Sequence, residues 1–201
     1  RRNQPSSHIK YGEANAVLAG DALQALAYEI IVDDIFLSSD DKVNAINLLS
    51  KACGKNGMVF GQYLDIKNEN NQNIDMQKLD DIHNLKTGKL IECAVMLGQT
   101  GSNLESESLN ALRDFSSKIG LAFQITDDIL DVTQMESILG KNKNSDAKNN
   151  KLTYIDIIGL DEAKVKVNKL TNSALNSLSQ SNISNINKLV EMAKYLIDRE
   201  S

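Results

Sequence analysis

Apolar and small residues recur at helical spacing along most of the chain. Ala14, Leu18, Ala22, Leu26 and Ile30 fall about one turn apart and predict a helix from Tyr11 to Phe36. A second helix is predicted over 42–65, loosened around Gly54 and Gly57, and 67–73 reads as a polar, Asn-rich loop. Asp75 reads as the N-cap of a third helix that continues through Lys86, Thr87 and Gly88 to Leu97. A long fourth helix is predicted over 106–136, and the polar stretch 140–150 as a loop. Two shorter helices are expected to end the chain. In the last, Ile186, Leu189, Val190, Ala193, Leu196 and Ile197 stand at offsets 0, 3, 4, 7, 10 and 11, an amphipathic stripe. No alternating apolar–polar run predicts a strand, so the fold class is all-α, over 1–201 as a single helical domain.

One helix breaks the rule that apolar faces exclude charge. The segment 119–132 is apolar on most sides, as expected of a helix buried in a bundle, yet it carries Asp127, Asp128 and Asp131. An unpaired buried carboxylate costs several kcal/mol, so something positive must accompany these acids. Spacings of i, i+4 and i, i+3 let all three project toward one side of the helix. Hard carboxylate oxygens suit magnesium, which keeps water ligands and shares phosphate oxygens. The pattern therefore predicts a metal-bridged diphosphate site, with Gln124 as a hydrogen-bonding neighbour. Asp33-Asp34 and Asp40-Asp41 fall near helix ends, and Asp80-Asp81 meets Asn84 and Leu85 at the next turn with no third acid, so all three pairs read as solvated surface.

Composition narrows the class. The chain has 201 residues, a net charge of −5, one Pro and no Trp, so the core is aliphatic and long helices are allowed. An acidic chain lacks the basic footprint of a nucleic-acid binder. Cys53 and Cys93 lack metal-ligand spacing and read as reduced thiols of a cytoplasmic protein. Val17–Val32 is broken by Asp21, Gln24 and Glu29, so no membrane span is expected. His8 and His83 lack partners at helical spacing and read as surface or satisfied residues.

The ordered motifs resemble those of the trans-isoprenyl diphosphate synthase family. Asp127-Asp128-Ile129-Leu130-Asp131, preceded by Gly120-Leu121-Ala122-Phe123-Gln124, is similar to that family's second aspartate-rich motif. Gly12 to Leu23, Gly61-Gln62-Tyr63-Leu64-Asp65, Lys86-Thr87-Gly88, Gly140-Lys141 and Lys151-Leu152-Thr153-Tyr154 follow the family order. Arg1-Arg2 resemble the arginine pair after the first aspartate-rich motif. That motif is then expected upstream of residue 1, and the chain is expected to be the C-terminal two-thirds of a synthase. The pattern looks most like bacterial farnesyl diphosphate synthase (geranyltranstransferase).

The resemblance implies an isoprenoid-synthase-type helical bundle around a central cavity, usually homodimeric, which binds isoprenoid diphosphates with three magnesium ions. Asp127, Asp128 and Asp131 are then the metal-binding residues, and Asp127, Asp128 and Lys86 the catalytic ones. Arg1 meets the allylic diphosphate and Arg2 isopentenyl diphosphate. Lys86, Lys141 and Lys151 meet the allylic diphosphate as point charges, and Thr87 and Gln124 add hydrogen bonds. Asn3, Phe60, Asn144, Asn150 and Ile155 depart from the family pattern without removing a metal ligand. The implied activity condenses isopentenyl diphosphate with dimethylallyl or geranyl diphosphate to give farnesyl diphosphate. A geranylgeranyl or longer-chain synthase and a non-catalytic regulatory subunit are the alternatives. The 201 residues by themselves are expected to be inactive, because half of the metal cage lies outside them.

Overall fold

The structure, a computed structural model, describes residues 4–69, 71, 74–139 and 152–198, with side chains described outside 134–139. Among the described residues every regular element is helical: α1 (Ser7–Tyr11), α2 (Glu13–Asp33), α3 (Ser39–Cys53), α4 (Met58–Lys67), α5 (Met76–His83), a π-helical turn (Asn84–Gly88), α6 (Lys89–Leu97), α7 (Ser106–Leu139), α8 (Tyr154–Ile158), α9 (Leu160–Ser179) and α10 (Asn187–Ile197). The described chain falls into two compact units, 1–47 and 48–201.

In the first unit, α2 buries none of its residues, and Val17, Leu18, Leu23 and Ile30 are exposed. By length and composition alone α2 could cross a membrane, whereas the sequence pattern set no span there. Asp21 sits near its middle, where a carboxylate in hydrocarbon costs about 2.5–3.5 kcal/mol. Lys42 Nζ donates to the Val32 carbonyl at 2.6 Å and ties the start of α3 back to α2.

The second unit carries the core. The predicted helix over 42–65 is two helices: α3 ends at Cys53 and α4 starts at Met58. Gly57 makes the turn, since a Cβ there would lie 2.0 Å from the Ala52 carbonyl oxygen. Two apolar clusters line α7. Leu112, Phe115 and Ile119 pack with Met96, Ala174, Leu178 and Ala193. One turn further along, Ala122 and Ile125 pack with Ile74, Leu79, Tyr154, Ala163 and Val167. Fully burying an Ile such as Ile125 is worth roughly 1.5–3 kcal/mol. The predicted α10 stripe holds: Ala193 is buried, and Ile186, Leu189, Val190 and Leu196 pack onto the first cluster.

Polar clips fix the register of the helices. Asp114 on α7 accepts from Lys118 at 2.5 Å and from the Ser177 hydroxyl of α9. Lys166 on α9 pairs with Asp80 on α5 at 3.3 Å. Among the described residues, three helices follow the 140–150 stretch, not two. The extra one, α8, is a single turn held by a capping box in which the Thr153 side chain accepts from the Asp156 N–H and the Asp156 carboxylate from the Thr153 N–H.

Candidate functional site

Asp75 caps α5 as predicted, accepting from the Lys78 N–H at 2.8 Å. The helix then runs on toward Leu97 with one interruption, at Asn84–Gly88, where the backbone widens into a π-helical turn. Such turns carry an extra residue and are frequent at functional sites. This one carries Lys86 and Thr87. Two glycines let its neighbours approach. A Cβ on Gly61 of α4 would lie 2.2 Å from the Lys86 backbone nitrogen, and one on Gly120 of α7 would lie 2.9 Å from Gly88 Cα. The π turn is therefore clasped between α4 and α7 at backbone contact.

That clasp brings together side chains far apart in sequence. Lys86 Nζ pairs with Asp65 Oδ2 of α4 at 2.7 Å, both groups partly buried. The Thr87 hydroxyl donates to Gln124 Oε1 of α7 at 2.9 Å. Gln124 stands one turn before Asp128 on α7, and its side chain favours the charged form of that carboxylate. Asp128 Oδ2 accepts the Tyr154 backbone N–H at the start of α8, at 3.0 Å. Neighbouring side chains of α7 thus tie it by one hydrogen bond to the π turn and by another to α8.

These groups open onto one cavity of about 370 Å³, lined by Asp65, Lys86, Gln124, Asp128, Asp131 and His83 among others. Burial pushes the Asp128 carboxyl up to about 7, with the charges of Asp131 and Asp127 adding to the rise and the Gln124 hydrogen bond opposing it. Without a cation, Asp128 is thus poised between its two charge states at neutral pH. A cation bound nearby would restore its charge.

Of the residues expected from the sequence, Lys86, Gln124, Asp128 and Asp131 line this cavity, and Thr87 is bonded to its wall. Asp127 is half-buried on the same helix and does not line it. Arg1, Arg2, Lys141 and Lys151 lie outside the described residues. Among the described residues, no three His, Cys, Asp or Glu side chains form a ready metal cage. Magnesium does not need one, because it is held through one or two carboxylates with water and phosphate oxygens. The donor set of Asp128 and Asp131, facing a cavity that also holds Lys86, fits that mode.

The sequence reading missed two residues. His83, read as surface or satisfied, is buried in the cavity wall, stacked on Tyr154 at 5.4 Å with its Nε2 4.0 Å from Asp128 Oδ2. The signal was its spacing, since Met76, Leu79 and His83 share one face of α5. Asp65 was noted as part of a motif but given no charge partner. Its pairing with Lys86, 21 residues away, carries no local signal.

The polyprenyl synthetase family profile matches residues 1–193. The chain is 40% identical over 204 residues to the farnesyl diphosphate synthase of Escherichia coli (strain K12), covering 99% of this chain and 68% of that protein. It is 36% identical over 202 residues to the chloroplastic geranylgeranyl pyrophosphate synthase of Catharanthus roseus, covering 100% of this chain and 57% of that one. Among solved structures it is similar to the geranyltransferase of Helicobacter pylori complexed with magnesium and isoprenyl diphosphate. The TM-score is 0.78 at 35% identity, over 98% of this chain and 64% of the other. The chain thus spans between 57% and 68% of the length of these proteins.

Proposed function

The chain belongs to the polyprenyl synthetase family, and on that premise we propose that the protein joins isopentenyl diphosphate to an allylic diphosphate, with farnesyl diphosphate as the product. The observation that carries this reading is the convergence of Lys86, Gln124, Asp128 and Asp131 on one cavity, with Thr87 bonded to its wall.

Lys86 supplies a point charge for the allylic diphosphate. Until that ligand arrives, Asp65 holds the ammonium in place at 2.7 Å, so the cation is positioned before it is used. Thr87 and Gln124 fix each other and present hydrogen-bonding groups beside the reacting end. The apolar wall of Ile74, Leu79 and Ile82 limits water around the carbocation formed there. Asp131, with Asp127 and Asp128, would hold magnesium, which neutralises charge on the departing diphosphate when bound. In the transfer, the allylic C–O bond breaks and its electron pair leaves with diphosphate. The isopentenyl double bond forms the new C–C bond, and a proton is then lost to the released diphosphate.

The parts of the site ascribed to Arg1, Arg2, Lys141 and Lys151, three magnesium ions, one helical domain over 1–201, homodimeric assembly and a cytoplasmic location belong to the same proposal, carried by the family resemblance. The farnesyl product rests on the sequence pattern, which looks most like bacterial farnesyl diphosphate synthase; relatives of both kinds stand at similar identity, 40% and 36%. The test is product analysis of the whole protein with magnesium, isopentenyl diphosphate and geranyl diphosphate. A 15-carbon diphosphate is expected for a farnesyl product. A longer chain would correct the product, and no chain elongation by folded protein would turn the reading to a regulatory subunit.

A further inference from the structure

Asp128 is flanked from two sides of the cavity, by a hydrogen bond on one and by a facing imidazole on the other. From α8, the Tyr154 N–H donates to Oδ2 at 3.0 Å. From α5, His83 Nε2 faces the same oxygen at 4.0 Å. The His83 ring is not free to turn away. It lies against the Tyr154 ring at 5.4 Å and 20°. Lys166 Nζ covers the Tyr154 ring at 4.6 Å and is itself tied to Asp80, three residues before His83 on α5. Tyr154 is fully buried, and His83 is 8% exposed. The result is a packed column of Lys166, Tyr154 and His83 that ends on one carboxylate oxygen.

We propose that His83 is a positioning residue of the metal–diphosphate site: its imidazole edge and the Tyr154 N–H bracket Asp128, and Asp128 in turn aligns Gln124 and, through it, Thr87. The inference rests on the prenyl-transfer reading given above. His83 touches neither substrate nor metal in this role. It acts through Asp128, as outer groups commonly orient the carboxylates around a metal. His83 stands three residues before Lys86. The same short segment delivers the diphosphate cation and the group that steadies the acid facing it.

The test uses the whole protein, Mn2+ in place of Mg2+, and inorganic diphosphate as the anion, with bound Mn2+ read by electron paramagnetic resonance. His83→Leu removes the polar edge and His83→Gln keeps a donor there. His83→Leu is expected to weaken Mn2+ binding in the presence of diphosphate about 10- to 100-fold, as loss of an outer-shell partner does. His83→Gln is expected to recover most of that loss. Diphosphate binding without metal, carried by Lys86, is expected to stay within about twofold in both, whereas a general loosening of the fold would lower it as well. Wild-type Mn2+ affinity in His83→Leu, or an equal loss in a folded His83→Gln, overturns the proposal. Should His83→Leu not fold, His83→Asn, whose amide is too short to reach Asp128, is read in its place. If the wild-type protein binds no Mn2+ with diphosphate, the prenyl-transfer reading falls and this inference falls with it. If the wild type binds and only the His83 variants fail to differ, this inference alone is lost.

Discussion

Gly61→Ala places one methyl group where α4 meets the π turn. The new carbon would lie 2.2 Å from the Lys86 backbone nitrogen, 2.6 Å from Lys86 Cα and 2.7 Å from the Leu85 carbonyl carbon. Ordinary contact begins at 3.4 Å, and all three neighbours are backbone atoms that cannot rotate aside. The two elements must therefore part by about 1 Å, an overpacking that costs on the order of 1–3 kcal/mol. Because the displaced backbone carries Lys86 and Thr87, the shift reaches the diphosphate end of the cavity. A displacement of about 1 Å can cost about 100-fold in rate. The assay is kcat/KM for prenyl transfer beside thermal unfolding, with Gly20→Ala as the matched substitution, since a Cβ at Gly20 meets nothing within 4 Å. Gly61→Ala is expected to lose roughly 100-fold in kcat/KM and to melt several degrees lower. Gly20→Ala is expected to keep its rate and gain up to about 1 kcal/mol in helix propensity. A Gly61→Ala protein with wild-type rate and melting point would refute the claim that this close approach sets the position of Lys86.

Two further outcomes follow from the bonds that tie α7 to its neighbours. In the native state Asp128 keeps its proton up to about pH 7, while the unfolded chain releases it near 3.8. Its contribution to stability is therefore complete below 3.8 and is lost as the pH rises through that window to about 7. The full effect is on the order of 4 kcal/mol. Asp128→Asn, which still accepts the Tyr154 N–H, should flatten this slope and melt higher than wild type at pH 8 without metal; equal slopes in urea unfolding would contradict the burial argument. Thr87→Val breaks the 2.9 Å bond to Gln124, and a net hydrogen bond of about 0.5–1.5 kcal/mol predicts a loss of about two- to tenfold in kcat/KM. An unchanged value would mean that Thr87 does not set the Gln124 amide.

The long α7 with its out-of-place acids, the Asp75 cap and the α10 stripe were legible because each is written within one or two turns of chain. Less legible were features made by distant contact. A π turn barely disturbs apolar periodicity, so Asn84–Gly88 reads as ordinary helix. The single turn of α8 is too short for a periodic signal, although Thr153 and Asp156 have the spacing of a capping box. His83 reads as surface or satisfied from its own helix, because its neighbours Tyr154 and Asp128 arrive from α8 and α7. Asp65 showed its motif but not its partner, because no local pattern reports a pair formed across 21 residues.

In the proposed site Lys86 and the α7 acids share one magnesium-bridged diphosphate. Calorimetric titration of inorganic diphosphate into the whole protein, with and without Mg2+, tests it most directly, in wild type, Lys86→Met and Asp127→Asn/Asp131→Asn. Tight wild-type binding is expected only with Mg2+. The Asp variant should lose the Mg2+ enhancement, and Lys86→Met should bind more weakly with and without Mg2+. Diphosphate binding that ignores Mg2+, or that survives both variants unchanged, would contradict it.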